Sequence, residues 1–164
     1  MKNSTEEPQT NIRKVCQNNS CSIENFHVLN EKEMPEKLKD VRNSSEEFLI
    51  INMNSRSLVN TYEELEFICE QLKPDLICIT ETWLDDSSPQ NAYIPTGYKV
   101  IRKDRSKDFK KKYNKSSGGG IAIFHKEHII LEKKTFLTDK TEEILWVQPK
   151  IKESFLLGLI YKPN

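Results

Sequence analysis

Two short apolar runs with one helix's length of chain between them constrain this chain more than any other feature. Phe48-Leu49-Ile50-Ile51-Asn52-Met53 and Leu76-Ile77-Cys78-Ile79-Thr80 are rich in β-branched side chains. Runs of this length and makeup suit buried strands. Between them Leu65, Ile68 and Leu72 recur at helical spacing on one face, with Glu63, Glu66 and Glu70 largely away from it. Asn60 or Thr61 can cap this helix, because Thr61-Tyr62-Glu63-Glu64 fits a capping box, and Pro74 ends it. Strand, helix and strand in such close succession predict a crossover unit with parallel pairing.

Downstream, Asp85-Asp86-Ser87-Ser88-Pro89 is turn chemistry, and residues 102–117 read as a basic loop with Phe109 and Tyr113 interleaved. Gly118-Gly119-Gly120 leads into a third strand, Ile121-Ala122-Ile123-Phe124. Residues 144–148 and 155–161 are two more strands, and the 149–154 connection suits a hairpin. Residues 1–47 differ: they are rich in Asn, Ser, Glu and Lys, with Phe26 as their single aromatic. Such a segment buries little apolar surface and is expected to be a polar, mostly disordered tail, with a short helix near 34–41. The globular part is then 48–164.

No apolar run approaches the roughly 20 residues of a membrane helix, so no membrane partner is expected. The polar start, Met1-Lys2-Asn3-Ser4-Thr5-Glu6-Glu7, is unlike a secretory signal, and four cysteines are too few for a disulfide scaffold. The formal net charge is zero, but the charges are segregated. Residues 61–97 set Lys73 against eight acids, whereas 98–115 set nine bases against Asp104 and Asp108. This pattern permits a local contact with a polyanion that the total would hide.

Glu81 stands just past a buried strand, where sheets fed by crossovers bind ligands. A carboxylate there can hold a hard cation such as magnesium. Asn54 ends the preceding strand and can face Glu81 if the two strands are neighbours. Taken alone, each is a solvated loop or turn residue. The triple glycine lacks a following helix and a Gly-Lys-Ser/Thr, so it reads as a tight strand entry and not a phosphate cradle. The basic loop can track a nucleic acid backbone or be only a solvated charged loop. Cys16, Cys21 and His27 lack a second ligand pair for zinc. His125 and His128 have no nucleophile or acid beside them in sequence, and Cys69 and Cys78 read as core.

Several of these stretches together resemble the endonuclease/exonuclease/phosphatase superfamily. They are Met53-Asn54-Ser55-Arg56-Ser57-Leu58 before a helix, Pro74-Asp75-Leu76-Ile77-Cys78-Ile79-Thr80-Glu81-Thr82-Trp83-Leu84, Gly97-Tyr98 before Arg102-Lys103-Asp104-Arg105, Gly118-Gly119-Gly120-Ile121-Ala122, and Tyr161-Lys162-Pro163-Asn164. The detail is most similar to endonuclease domains of non-LTR retrotransposons and covers 48–164. The resemblance implies an α/β fold, a two-sheet sandwich, that cleaves DNA phosphodiesters with magnesium, or manganese in its place. It implies Glu81 as the metal-binding glutamate, Asn54 (four before Leu58, unlike Asn52) as the active-site asparagine, and Tyr161 as a contact to the scissile phosphate region. Asn164 falls at a less constant position. A nuclear location follows by analogy. Charge alone nominates Arg102, Lys103, Arg105, Lys107, Lys110, Lys111 and Lys112 as nucleic-acid contacts.

Family members continue into a Gly-Asp-x-Asn stretch and end with an Asp-His pair. These supply the activating aspartate, the phosphate-holding asparagine and the general base. None of these stands within the 164 residues. The expectation is an amino-terminal half of the domain, a partial sandwich whose missing partner is the carboxy-terminal half. Nuclease activity of this half alone is expected to be very low, and one apolar sheet face uncovered. Alternatives are a non-catalytic remnant that binds nucleic acid or a partner, and a phosphatase of the same superfamily.

Overall fold

The computed structural model describes residues 10–15, 26–29, 48–105, 118–137 and 143–162. The expected crossover is there: β3 (Phe48–Asn54), α1 (Leu58–Leu72) and β4 (Leu76–Thr80) in succession, with β3 and β4 parallel and Asn54 opposite Thr80. Two strands precede it, β1 (Thr10–Val15) and β2 (Phe26–Leu29), and β5 (Tyr98–Lys103) and β6 (Ile121–Lys126) follow it. These six form one sheet in the order β2-β1-β3-β4-β6-β5. A second sheet has three antiparallel strands in the order β7 (Leu131–Lys133), β8 (Glu143–Pro149), β9 (Leu157–Tyr161), with a short 3-10 turn at Thr135–Leu137.

The apolar runs are nearly continuous because the large sheet is covered on both faces. On one side Leu49, Ile51, Met53, Ile77, Ile79 and Phe124 pack on the Leu58, Leu65, Ile68 and Leu72 stripe of α1. On the other side Phe48, Ile50, Leu76, Cys78, Ile121 and Ile123 meet Leu145, Val147 and Leu159 of the small sheet. The expected bare sheet face is thus corrected over these residues. Three short strands suffice because β8 alternates strictly, sending Leu145 and Val147 inward. Asn52, farther along β3, stays exposed.

Other expectations change as well. Within 1–47, expected to be mostly disordered, residues 10–15 and 26–29 are strands: β1 pairs with β3 over six residues and β2 pairs with β1, while the rest of that stretch lies outside the described residues. Backbone pairing at a sheet edge needs little apolar surface, which is what composition measures. The helix near 34–41, Cys16 and Cys21 lie outside the described residues. Arg102 and Lys103 end a strand and do not open a loop. β5 is an edge strand, and edges tolerate such charge.

The capping box is not used. α1 starts at Leu58, and Ser57 makes no side-chain cap. The N–H groups of Ser57 and Leu58 instead donate to the carbonyls of Glu81 and Thr82, both at 2.9 Å. Orphan donors satisfied in this way let the helix begin before Thr61. Its end is as expected: Lys73 takes the left-handed conformation and donates its N–H to the Cys69 carbonyl just before Pro74.

Candidate active site

Glu81 leaves β4 with φ 55°, and Trp83 follows with φ 57°. Side chains with a Cβ rarely adopt this conformation, so the surroundings must hold it. Two turns grip the segment. From the β3–α1 turn, the Ser55 N–H donates to Thr80 O (3.0 Å) and the Ser55 hydroxyl to Glu81 O (2.9 Å). From the glycine turn, Gly120 O and Gly119 O accept the N–H groups of Thr82 (3.2 Å) and Trp83 (2.9 Å). A Cβ on Gly120 would lie 2.4 Å from the Thr82 hydroxyl, and one on Gly119 would lie 2.0 Å from the Arg105 guanidinium. The triple glycine therefore serves close backbone approach.

Both carboxylate oxygens of Glu81 accept hydrogen bonds. Tyr161, from β9 of the other sheet, donates its hydroxyl to Oε1 at 2.5 Å, and Trp83 donates Nε1–H to Oε2 at 3.4 Å. Burial, reinforced by the bond to Glu81 and its charge, pushes the Tyr161 hydroxyl up to about 12. Tyr161 is thus a hydrogen-bond donor throughout the neutral range. Asn54 is half-buried, and its Oδ1 accepts the Arg56 N–H at 3.1 Å. The topology brings Asn54, Glu81 and Tyr161 to one end of the paired sheets, at the carboxyl ends of β3, β4 and β9.

The basic residues are placed differently from expectation. Arg105 is 3% exposed, and its guanidinium grips Glu143 through Nε–Oε1 (2.6 Å) and Nη2–Oε2 (3.1 Å). Arg102 donates to the carbonyls of Ser88 (2.7 Å) and Pro89 (3.1 Å) and pairs with Asp104 (3.1 Å). Both were nominated as nucleic-acid contacts on charge alone. In the structure both make internal bonds, and a guanidinium engaged in this way has little left for a phosphate. Lys103 ends β5 opposite Ile121. Lys107, Lys110, Lys111, Lys112 and Asn164 lie outside the described residues. Glu143, which sequence reasoning missed, belongs to no motif. Its only signal is a place opposite Tyr161 in the β8–β9 register, which requires the fold.

His125 is buried, which lowers its pKa, and its Nδ1 contacts the Lys126 carbonyl at 3.0 Å. Cys69 and Cys78 are buried free thiols, pushed up to about 12 by desolvation. A cleft of about 750 Å³, lined by residues that include Glu66, Lys73, Tyr98, Lys126 and His128, shares no residue with the Glu81 site.

A magnesium ion is commonly held by one or two carboxylates, with water and substrate phosphate completing its shell. Glu81 offers one carboxylate on a fixed backbone. Among the described residues no group of three or more His, Cys, Asp or Glu side chains could hold an ion. The donor set fits a weakly held hard cation and not a closed protein cage. No helix among the described residues is long and apolar enough to cross a membrane.

No family model and no curated protein sequence matches the chain. Among solved structures, the AP endonuclease LMAP from Leishmania major is similar, with a TM-score of 0.53 at 19% identity. The likeness covers 68% of this chain and 39% of that one, so the chain spans well under half of the enzyme it matches. The fold is therefore similar to that of this AP endonuclease, in a partial two-sheet α/β form.

Proposed function

We propose that this chain is part of a magnesium-dependent phosphodiesterase that nicks DNA in the manner of retrotransposon endonucleases, with very low activity in these residues alone. The observation that carries the reading is the Tyr161–Glu81 hydrogen bond, which joins a carboxylate at the carboxyl end of the parallel strand pair to the second sheet. In this reading Glu81 holds magnesium, or manganese in its place, with water filling the rest of the shell. The ion, when bound, polarises a phosphoryl oxygen and stabilises the charge that develops on it. Tyr161 donates a hydrogen bond toward the phosphate region, and Asn54 orders the turn beside it. The substrate is DNA and the location nuclear.

Activity is expected to be very low because one carboxylate retains a hard cation poorly, and among the described residues no group of three or more His, Cys, Asp or Glu side chains is gathered to help hold it. A plasmid-nicking assay with and without magnesium, at high protein concentration, tests the reading. Trace nicking that needs both the metal and Glu81, and disappears in Glu81→Ala, is the expected result. Nicking that survives either removal refutes the assignment of Glu81, and robust nicking refutes the low-activity claim. Salt-dependent DNA binding with no metal-dependent nicking would point to a non-catalytic binding remnant.

A further inference from the structure

The Arg105–Glu143 ion pair reaches both halves of the candidate site. Arg105 follows β5 of the large sheet, and Glu143 opens β8 of the small one. Both are almost wholly buried, and the contact is bidentate, a geometry that fixes orientation as well as distance. Toward Glu81, Glu143 Oε1 also accepts the Gly120 N–H at 3.0 Å. Gly120 and its neighbour Gly119 in turn hold the N–H groups of Thr82 and Trp83, the two residues after Glu81. Gly119 lies so close to the guanidinium that no side chain fits between them. Toward Tyr161, Glu143 is its register partner across β8 and β9, and the guanidinium carbon of Arg105 lies 6.0 Å from the tyrosine ring centroid.

We propose that Arg105 and Glu143 are positioning residues: together they set the carboxylate of Glu81 and the hydroxyl of Tyr161 in the geometry that receives a hard cation. This rests on the reading of Glu81 as a metal ligand. The pair acts on Glu81 through the glycine turn and on Tyr161 through its ring and strand register. The rival role is a bolt between the sheets, with no bearing on the site. The two roles differ in what a folded variant does. A bolt changes the unfolding transition alone. A positioning pair changes ion binding while the fold persists.

Terbium is a suitable probe, because it prefers oxygen ligands and emits when a nearby indole or phenol is excited. Trp83 and Tyr161 both touch Glu81. The experiment titrates terbium into the full 164-residue chain and into Glu143→Gln, Arg105→Lys and Glu81→Gln. Urea unfolding of each is followed by circular dichroism. Glu143→Gln keeps the side chain's shape and an acceptor for Gly120, while Arg105→Lys keeps the charge but loses the fork. Both are expected to unfold cooperatively yet bind terbium on the order of tenfold or more weakly, as for residues that orient a metal ligand. Unchanged affinity in either folded variant overturns the proposal. Loss of the cooperative transition in both makes the pair a bolt and overturns it too. If the unmodified chain gives no terbium emission that Glu81→Gln removes, the metal-ligand reading itself falls, and the proposal with it.

Discussion

Tyr161 and Glu81 stand 80 residues apart in the chain and share a 2.5 Å hydrogen bond between the two sheets. Tyr161→Phe removes that donor and leaves the Trp83 indole N–H on the other carboxylate oxygen. The expected cost is about 1 kcal/mol, because the bond goes to a carboxylate but is only partly shielded from water. Urea unfolding of the two proteins measures it, and an unchanged midpoint would count against the contact.

Gly120→Ala is expected to be more costly. The residue has φ 83°, and its new Cβ would meet the Thr82 hydroxyl. Strain and collision together suggest a loss of about 2–3 kcal/mol. The same urea series reads it, and a loss below that of Tyr161→Phe would show that the turn relaxes freely.

Stability should fall at high pH through Tyr62. Its hydroxyl donates to Glu66 (2.8 Å) and to the Ile94 carbonyl (3.2 Å), and burial followed by Glu66 raises its pKa from 10.0 to about 12. The folded state keeps this proton longer than the unfolded state does. The contribution is therefore complete below the unfolded value and is lost as pH rises through the folded one. Unfolding midpoints measured from pH 9 to about pH 12 should decline, and less steeply in Tyr62→Phe. Equal slopes would remove Tyr62 from the account.

DNA binding should separate the arginines from the lysines. Arg102→Gln removes bonds to Ser88 and Pro89 and lowers stability, but it should leave the slope of log affinity against log salt unchanged. Replacing Lys110, Lys111 and Lys112 together by Gln should flatten that slope by up to about 3 for duplex DNA. A flatter slope in Arg102→Gln would return that residue to the DNA contacts.

What the sequence made legible follows from how local each signal is. The β3–α1–β4 unit and the β8–β9 hairpin rest on apolar periodicity over a few residues, which survives without tertiary knowledge. Glu81 was found because a strand end and a motif coincide there. β5 was hidden because Arg102 and Lys103 read as the start of a basic loop, and only its edge position makes a charged strand acceptable. β1 and β2 were hidden because backbone pairing leaves little trace in composition. Arg105 was noticed for its charge, and its burial against a carboxylate was not visible. Its partner Glu143 lies 38 residues away, and nothing local announces a buried pair.

The left-handed backbone at Glu81 carries a consequence for how this sequence can drift. A chain selected only to fold would favour glycine at that position, gaining about 1–2 kcal/mol of backbone ease. Glutamate there is a standing burden on stability, so a lineage released from any need for the carboxylate has an easy mutation that both relaxes the turn and erases the site. Retention of glutamate against that pull is the trace that use would leave.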